Sequence, residues 1–349
     1  MKTTFISTQS IGAATRNAIV RSQERLAEAQ SELSTGRHFD TGLALGAGTA
    51  NLVDLRQQNE RLAGLESSNA RLQFRAGVAQ AALGSLVDGA QEFLEELIAA
   101  RQAPSGGKLV QASAEGRLTA MIDQLNVTAD GDFVFSGMNA AEPPFDDYWS
   151  DPPPASRSSV SAAFLGEFGL SQDDPGVAAI TPAGIEAFLD GSFANLFADP
   201  AWSNDWSTAT SELAVVRISR SEAITTSLSA NEGAIRKLAR VYSAAADLGT
   251  ENMSQATFQA LVDKLVTVTG EAVNELGAMQ SKLGLNEQRL ADASERARLQ
   301  RNLLQERIGT LESVDPFEAS TRVTSLLTVI ETSYAVTARI QRLSILNYL

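Results

Sequence analysis

The feature that most constrains this chain is an apolar pattern, with spacings of three and four residues, that continues for about five heptads. Such a pattern lies along one side of an α-helix, where a partner helix must cover it. Its members are Leu62, Leu65, Asn69, Leu72, Ala76, Ala79, Leu83, Leu86, Ala90, Phe93 and Leu97. The pattern predicts a long coiled-coil helix, and its one polar member, Asn69, is expected to fix the register of the helix pair.

A second heptad pattern occupies residues 254–313. Apolar side chains recur every seven residues at Leu276, Leu283, Leu290, Ala297, Leu304 and Leu311. The companion positions include Asn286, Gln300 and Arg307, so this seam is half polar. Two heptad helices from opposite ends of the chain favour an antiparallel pair within one subunit. The predicted intramolecular seam joins these leucines to Leu62, Leu65, Leu72, Leu83, Leu86 and Phe93 of the first helix.

The N-terminal segment carries a shorter apolar stripe, formed by Ile19, Ser22, Leu26, Ala29 and Leu33. Its spacing again predicts a helix, which we expect to end at Thr35-Gly36-Arg37. The stretch 42–48, rich in Gly and Ala, is expected to be a loop.

The last helix is apolar on two sides. Asp315-Pro316 marks its start, with Asp as the cap and Pro at the first position. One stripe contains Val323, Leu327, Ile330 and Tyr334, and the other contains Val329, Val336, Ile340 and Leu343. Since both sides must be buried, we expect contacts with neighbouring subunits, although the core of a monomeric bundle is the alternative. The predicted assembly interface consists of Ile19, Leu26, Leu33, Val323, Leu327, Ile330, Tyr334, Val336, Ile340 and Leu343.

The middle of the chain differs in composition from both ends. Residues 138–211 contain two proline clusters and all three tryptophans. A short strand is expected at 132–136, and a hairpin or two short strands at 215–229. The predicted fold class is mainly α, an elongated antiparallel coiled-coil bundle from both chain ends with a small mixed or irregular middle domain and short β segments. The predicted parts are an N-terminal assembly helix and loop, a bundle domain in two pieces, a projecting variable domain and a C-terminal assembly helix, at 1–45, 46–137 with 212–314, 138–211 and 315–349.

The composition excludes several classes of site. The chain has no cysteine, so disulfides, thiolate metal sites and cysteine nucleophiles are excluded. Its net charge of −14 disfavours nucleic acid and anionic membranes as partners. No apolar run reaches the roughly 18–20 residues that span a membrane, and the N-terminus lacks the apolar core of a secretory signal. Because aromatic residues make up only 6% of the chain, cores of Ala, Leu, Val and Ile are expected.

No motif predicts an enzyme or a cofactor. The single histidine, His38, follows a turn and is expected to be solvated. Gly42, Gly46 and Gly48 resemble a phosphate loop only superficially, because no Lys-Ser/Thr follows them. The carboxylate pair Asp173-Asp174 is better explained as an exposed turn than as a cation site. We therefore expect no catalytic, metal-binding or cofactor-binding residues.

Short motifs near both ends resemble the flagellin superfamily. Residues 32–37, Glu-Leu-Ser-Thr-Gly-Arg, are similar to the Leu-Ser-Ser/Thr-Gly turn of its N-terminal regions. Residues 282–290 resemble the Leu-Gly-x-x-x-x-Arg-Leu element of its C-terminal regions, and Arg307-Ile308 followed by Val314-Asp315 resembles the link into the last helix. The resemblance covers about 1–137 and 212–349. The C-terminal segment 343–349 is similar to subunits of the hook–filament junction, whereas filament flagellins commonly end differently. Residues 318–323 with 330–334, and residues 131–137, resemble the version found in α-proteobacterial hook-associated proteins.

The resemblance implies a structural subunit of the bacterial flagellum that joins hook to filament. It implies secretion by flagellar type III export without a cleaved signal, an extracellular location, and an export apparatus or chaperone as partner. Other implied partners are copies of the chain itself in a helical array, a neighbouring hook-associated protein and flagellin. The alternative is a minor or divergent flagellin that forms the filament itself. A soluble enzyme, a third class, would need a catalytic pocket in 138–211, where no constellation is visible.

Overall fold

The computed structural model describes the backbone of residues 8–342 and the side chains of residues 12–339. The described chain is mainly α-helical and contains two small antiparallel sheets, which confirms the predicted fold class. Its elements are α1 (Thr8–Thr35), α2 (Thr41–Leu45), α3 (Thr49–Ala100), α4 (Gly106–Leu125), β1 (Thr128–Ala129), β2 (Asp132–Phe133), α5 (Ala155–Phe168), α6 (Pro182–Asp190), α7 (Ser192–Asn195), β3 (Val215–Arg217), β4 (Ala223–Thr225), α8 (Gly233–Asp247), α9 (Gln255–Glu312) and α10 (Pro316–Arg342).

The chain forms two compact units. The terminal unit draws on residues up to Gly64 and from Arg298 onward, and the central unit consists of Leu65–Ala297. This split does not test the predicted division into four parts, which stays a prediction.

In the central unit α3 and α9 run antiparallel. Leu72 packs with Leu290, the amide of Gln280 lies against Gly84, and Arg101 forms an ion pair of 2.6 Å with Asp263. Residues later in α3 therefore contact residues earlier in α9, as in any antiparallel helix pair. Of the predicted seam, Leu83, Leu86, Phe93, Leu276 and Leu283 belong to one buried cluster, whereas Leu65 is half-buried. In the terminal unit Leu62, Leu304 and Leu311 are also half-buried.

A β-hairpin packs against both long helices of the central unit. Strands β3 and β4 pair with Val216 opposite Ile224. Asn69 on α3 is fully buried and donates to the carbonyl of Ile218 (3.1 Å), and Asn286 on α9 donates to the carbonyl of Thr225 (3.1 Å). Asn69 thus bonds the hairpin instead of fixing a helix–helix register, and that expectation was wrong because the hairpin supplies the acceptor.

The middle segment, residues 138–211, differs from the aliphatic core that the average composition of the whole chain predicts. The aromatic rings of this segment pack against one another, and the centroids of neighbouring rings are 4.9–6.3 Å apart. The rings belong to Phe145, Tyr148, Trp149, Phe164, Phe168, Phe188, Phe193, Phe197, Trp202 and Trp206. A low average aromatic content therefore conceals a local aromatic core between short helices.

The expected loop at 42–48 is also wrong. Residues 41–45 form the short helix α2, and a 3-10 turn follows at Gly46–Gly48. The carboxylate of Asp40 caps α2 by accepting from the backbone N–H of Leu43 at 2.9 Å. The cap makes the helix possible in a sequence whose Gly content disfavours one.

Candidate functional site

The terminal unit brings the first and last helices of the chain together. Helix α1 packs along α10, with Ile19, Ala29, Ala319 and Ile330 buried. The amide of Gln23 donates to the hydroxyl of Tyr334 across the pair at 3.0 Å. Sequence periodicity identified the apolar stripes of both helices, and the structure shows which parts of them face each other.

The ten predicted assembly positions fall into different environments. Ile19 and Ile330 are buried, and Leu26 and Val323 are half-buried. Four others are exposed, namely Leu33, Leu327, Tyr334 and Val336. Leu343 and the side chain of Ile340 lie outside the described residues. The interface role of all ten stays a prediction, and the exposed ones are the positions still open to another chain.

The turn after α1 lies beside the link between α9 and α10. Gly36 ends α1 with a φ of +70°, a conformation that favours glycine. The N–H of Val314 donates to the carbonyl of Gly36 (3.0 Å), and the N–H of His38 donates to the carbonyl of Glu312 (2.9 Å). Two motifs that are far apart in sequence therefore pair as neighbouring backbone segments.

A cluster of charged residues surrounds this pairing. We call Glu32, Arg37, Arg56, Glu312 and Arg322 the terminal charge cluster. Glu312 is only 3% exposed and contacts Arg37 (3.2 Å) and Arg56, whose Nε donates to it at 2.9 Å. Glu32 is also buried and accepts from Arg322 at 2.8 Å. Since a buried carboxylate is costly unless it is paired, these contacts hold the elements of the terminal unit in place.

Sequence reasoning missed the pairing of these charges. Glu32, Arg37 and Arg322 belong to motifs that resemble the flagellin superfamily, but those motifs predicted no ion pairs, and no sequence pattern pointed to Arg56 or Glu312. The sequence contained one signal for the pairing. Glu32 and Glu312 lie in the last turns of α1 and α9, and an acidic residue is normally unfavourable at the C-terminal end of a helix. His38 is half-buried and lies 3.7 Å from Glu32, so the expectation of a solvated histidine was wrong.

Large apolar side chains are exposed mainly in the terminal unit. Among the side chains that the structure describes, it exposes twelve, against seven in the larger central unit. Leu43 is 86% and Phe317 is 85% exposed. The others in the terminal unit are Val20, Leu33, Phe39, Val53, Leu299, Leu303, Leu327, Val329, Tyr334 and Val336. Exposed apolar residues in this concentration are typical of a surface that another chain covers.

Helix α10 adds a groove that is lined mainly by β-branched residues. Thr15, Thr328, Val329, Thr332, Ser333 and Val336 line it. Each threonine of α10 donates its hydroxyl to the backbone carbonyl four residues earlier, at 2.7–3.0 Å; these are Thr321, Thr324, Thr328, Thr332 and Thr337. Since these hydroxyls already have acceptors, burying this face does not leave their donors unpaired.

Two other kinds of feature, a metal site and a membrane span, find no support in the described part of the chain. Within it, no three His, Asp or Glu side chains are grouped so that they could hold a metal ion. Between residues 8 and 342, no helix is both long and apolar enough to cross a membrane.

Comparison with known protein families gives matches to the helical regions near both ends of the chain. Residues 6–140 match the bacterial flagellin N-terminal helical region, and residues 266–349 match the bacterial flagellin C-terminal helical region. These matches include α1–α4 and α10, with most of α9. They do not extend to 212–265, so the C-terminal resemblance is shorter than expected. No curated protein matches the chain.

One solved structure with a similar fold is described as a flagellar hook-associated protein from Vibrio parahaemolyticus. It is 11% identical, with a TM-score of 0.51, and the match covers 76% of this chain and 97% of that chain. The fold and the exposed apolar side chains of the terminal unit define a helical protein in which α1 and α10 pack together. The chain belongs to the flagellin superfamily of structural proteins of the bacterial flagellum.

Proposed function

We propose that this chain is the hook-associated subunit that joins the flagellar hook to the filament, of the α-proteobacterial type. The observation that carries the proposal is the concentration of exposed apolar side chains in the terminal unit, including Phe317, Val329 and Val336. A monomer in water gains nothing from exposing them, whereas a subunit in an array buries them against its neighbours. The resemblance of residues 343–349 to junction subunits favours the junction protein over filament flagellin.

The proposed partners are copies of the chain and other flagellar proteins. Copies of the chain surround one another in a helical array, a second hook-associated protein lies on the hook side, and flagellin lies on the filament side. The chain reaches this position by flagellar type III export, with the export apparatus or a chaperone as an earlier partner. It acts outside the cell as a structural protein, without catalysis, a cofactor, nucleic acid or membrane insertion.

Deleting the gene tests this proposal. A strain without the junction subunit should assemble hooks but no filaments, and should shed flagellin into the medium. Electron micrographs of the cells and an immunoblot of the culture supernatant measure both outcomes. Complementation with the intact gene should restore filaments, which controls for effects on neighbouring genes.

A minor or divergent flagellin is the second candidate, because the two matching regions are those of flagellin itself. It predicts that the deletion strain still carries filaments and that antibodies to this chain label filaments along their length. Labelling confined to the junction of hook and filament supports the first proposal, and labelling along the filament overturns it.

A further inference from the structure

The start of α10 presents an aromatic ring to solvent. Phe317 is 85% exposed, and it is the second residue of a helix that continues without a break to Arg342. Its backbone N–H donates to the capping carboxylate of Asp315 at 2.8 Å, so the ring stands at a fixed place on the helix. An exposed ring adds little to the stability of the subunit, whereas aromatic side chains often form the centre of protein interfaces.

The groove on α10 offers a place for an apolar side chain. Its volume is about 280 Å³. The hydroxyls of Thr328 and Thr332, which line it, already donate to backbone carbonyls. An apolar side chain can therefore enter the groove without leaving these donors unpaired.

Phe317 cannot fill the groove of its own copy. Thr328, the first residue of α10 that lines the groove, follows Phe317 by eleven positions. On one continuous helix, with a rise of 1.5 Å per residue, these positions are about 16 Å apart. That distance exceeds the reach of a phenylalanine side chain, so the ring and the groove can meet only between two copies of the chain.

The surface around Phe317 is acidic. Asp315 and Glu318 flank the ring, and both are exposed. Arg322 lies 2.8 Å from Glu318, but it also bonds the buried Glu32 at 2.8 Å. Since one cation is shared between two carboxylates, the start of α10 keeps an excess of negative charge.

The surface around the groove is basic. Arg16 follows Thr15 of the groove, and Arg339 lies one turn after Val336; both arginines are exposed. Neither forms an ion pair with any residue that the structure describes. Glu331 is the one acidic residue of the sequence between positions 328 and 339. The charge beside the groove is therefore complementary to the charge beside the ring.

We propose that Phe317 of one copy inserts into the α10 groove of the next copy, with Asp315 and Glu318 beside Arg16 and Arg339. The contact rests on the proposed function, since it joins copies of the chain within the array. The ring and the groove are different surfaces, so each copy can use both at once. Such heterologous contacts continue into an open helical array when the rotation between copies does not close a ring.

Photo-cross-linking in flagella from the complemented deletion strain tests this contact. Phe317→p-benzoylphenylalanine places a photoreactive ring at this position. Irradiation should give a product of twice the subunit mass, in which the tryptic peptide 308–322 of one copy is linked to the peptide 323–339 of another. Leu165→p-benzoylphenylalanine, at an exposed position on α5 of the central unit, is the matched control and should give no link to 323–339.

Val336→Phe tests the shape of the groove, and it decides the matter if the photoreactive variant does not assemble. It fills the groove but keeps it apolar, so filaments should be lost. The melting temperature of the isolated chain should stay unchanged, because position 336 is exposed. Phe317→Ala in the same chain removes the ring that would collide with the new side chain, and should restore part of the filaments. Normal filaments with Val336→Phe alone would overturn the contact.

The contact and the junction role fail in different ways. A link between 308–322 and 323–339 in filaments that antibodies label along their length would keep the contact but overturn the junction role. Antibody labelling confined to the junction of hook and filament, with no such link or with a link to the segment around Leu43, would overturn the contact and leave the junction role in place.

Discussion

Leu83 is fully buried in the cluster that contains Leu276 and Leu283 of α9. Removing most of its side chain loses apolar contacts and leaves a cavity, so Leu83→Ala should lower the free energy of unfolding by about 2–5 kcal/mol. Leu109, on α4 of the same unit, is 61% exposed, and Leu109→Ala should change it by less than about 0.5 kcal/mol. Urea unfolding followed by circular dichroism measures both. Equal losses would mean that the helix interface does not bury Leu83.

Arg322 has two acidic partners in different environments. It bonds Glu32, which is buried, and Glu318, which is exposed one turn before it on α10, both at 2.8 Å. Double-mutant cycles that share Arg322→Met should give a coupling energy of about 1–3 kcal/mol with Glu32→Gln. With Glu318→Gln the coupling should be only about 0.3–0.5 kcal/mol, because water screens an exposed pair. The unfolding of α10, followed by hydrogen exchange, is the measurement. A stronger coupling with Glu318 would contradict the role given to the terminal charge cluster.

At the scale of elements, the hairpin β3–β4 depends on side chains of the helices beside it. Asn69→Asp replaces the donor to the carbonyl of Ile218 by an acceptor in a fully buried position. It should therefore destabilise the protein more than Asn69→Leu, which orphans the carbonyl at a cost of about 1–3 kcal/mol but introduces no charge. Hydrogen exchange of β4 should show the loss first. Equal effects of the two substitutions would mean that the bond to Ile218 is not formed in solution.

The elements that periodicity predicted are those with one repeated physical pattern. Helices α3 and α9 follow from their heptads, and the hairpin at 215–225 follows from its β-branched residues. Helix α2 did not follow, because a single cap from Asp40 outweighs the local composition. The partner of Asn69 could not be predicted either, since it is a carbonyl 149 residues away, and sequence spacing contains no information about such a contact.

At the scale of the whole molecule, the sequence motifs identified important segments near both ends of the chain. They did not predict how these segments contact each other. The motifs around Gly36 and Val314 were recognised separately, and the structure shows that they bond to each other. The burial of Glu312 and the half-burial of His38 depend on that pairing, which is set by tertiary contacts and not by local pattern. The same limit applies to α10, where the pattern showed two apolar stripes but could not show which one α1 covers.

Val336 is one of the residues that line the groove on α10. Val336 is 46% exposed, so Val336→Asp should change the melting temperature of the isolated chain little, because water still solvates the new carboxylate. In an assembled array the same carboxylate would be buried without a partner, which is strongly disfavoured. The variant should therefore be secreted but should fail to restore filaments in the deletion strain.

Leu165→Asp, an equally exposed position on α5 of the central unit, is the matched control and should restore them. Filament counts and melting curves are the measurements. Normal filaments with Val336→Asp would show that this face is not buried in the assembly. A melting temperature lowered as in Leu83→Ala would assign the face to the core of the subunit.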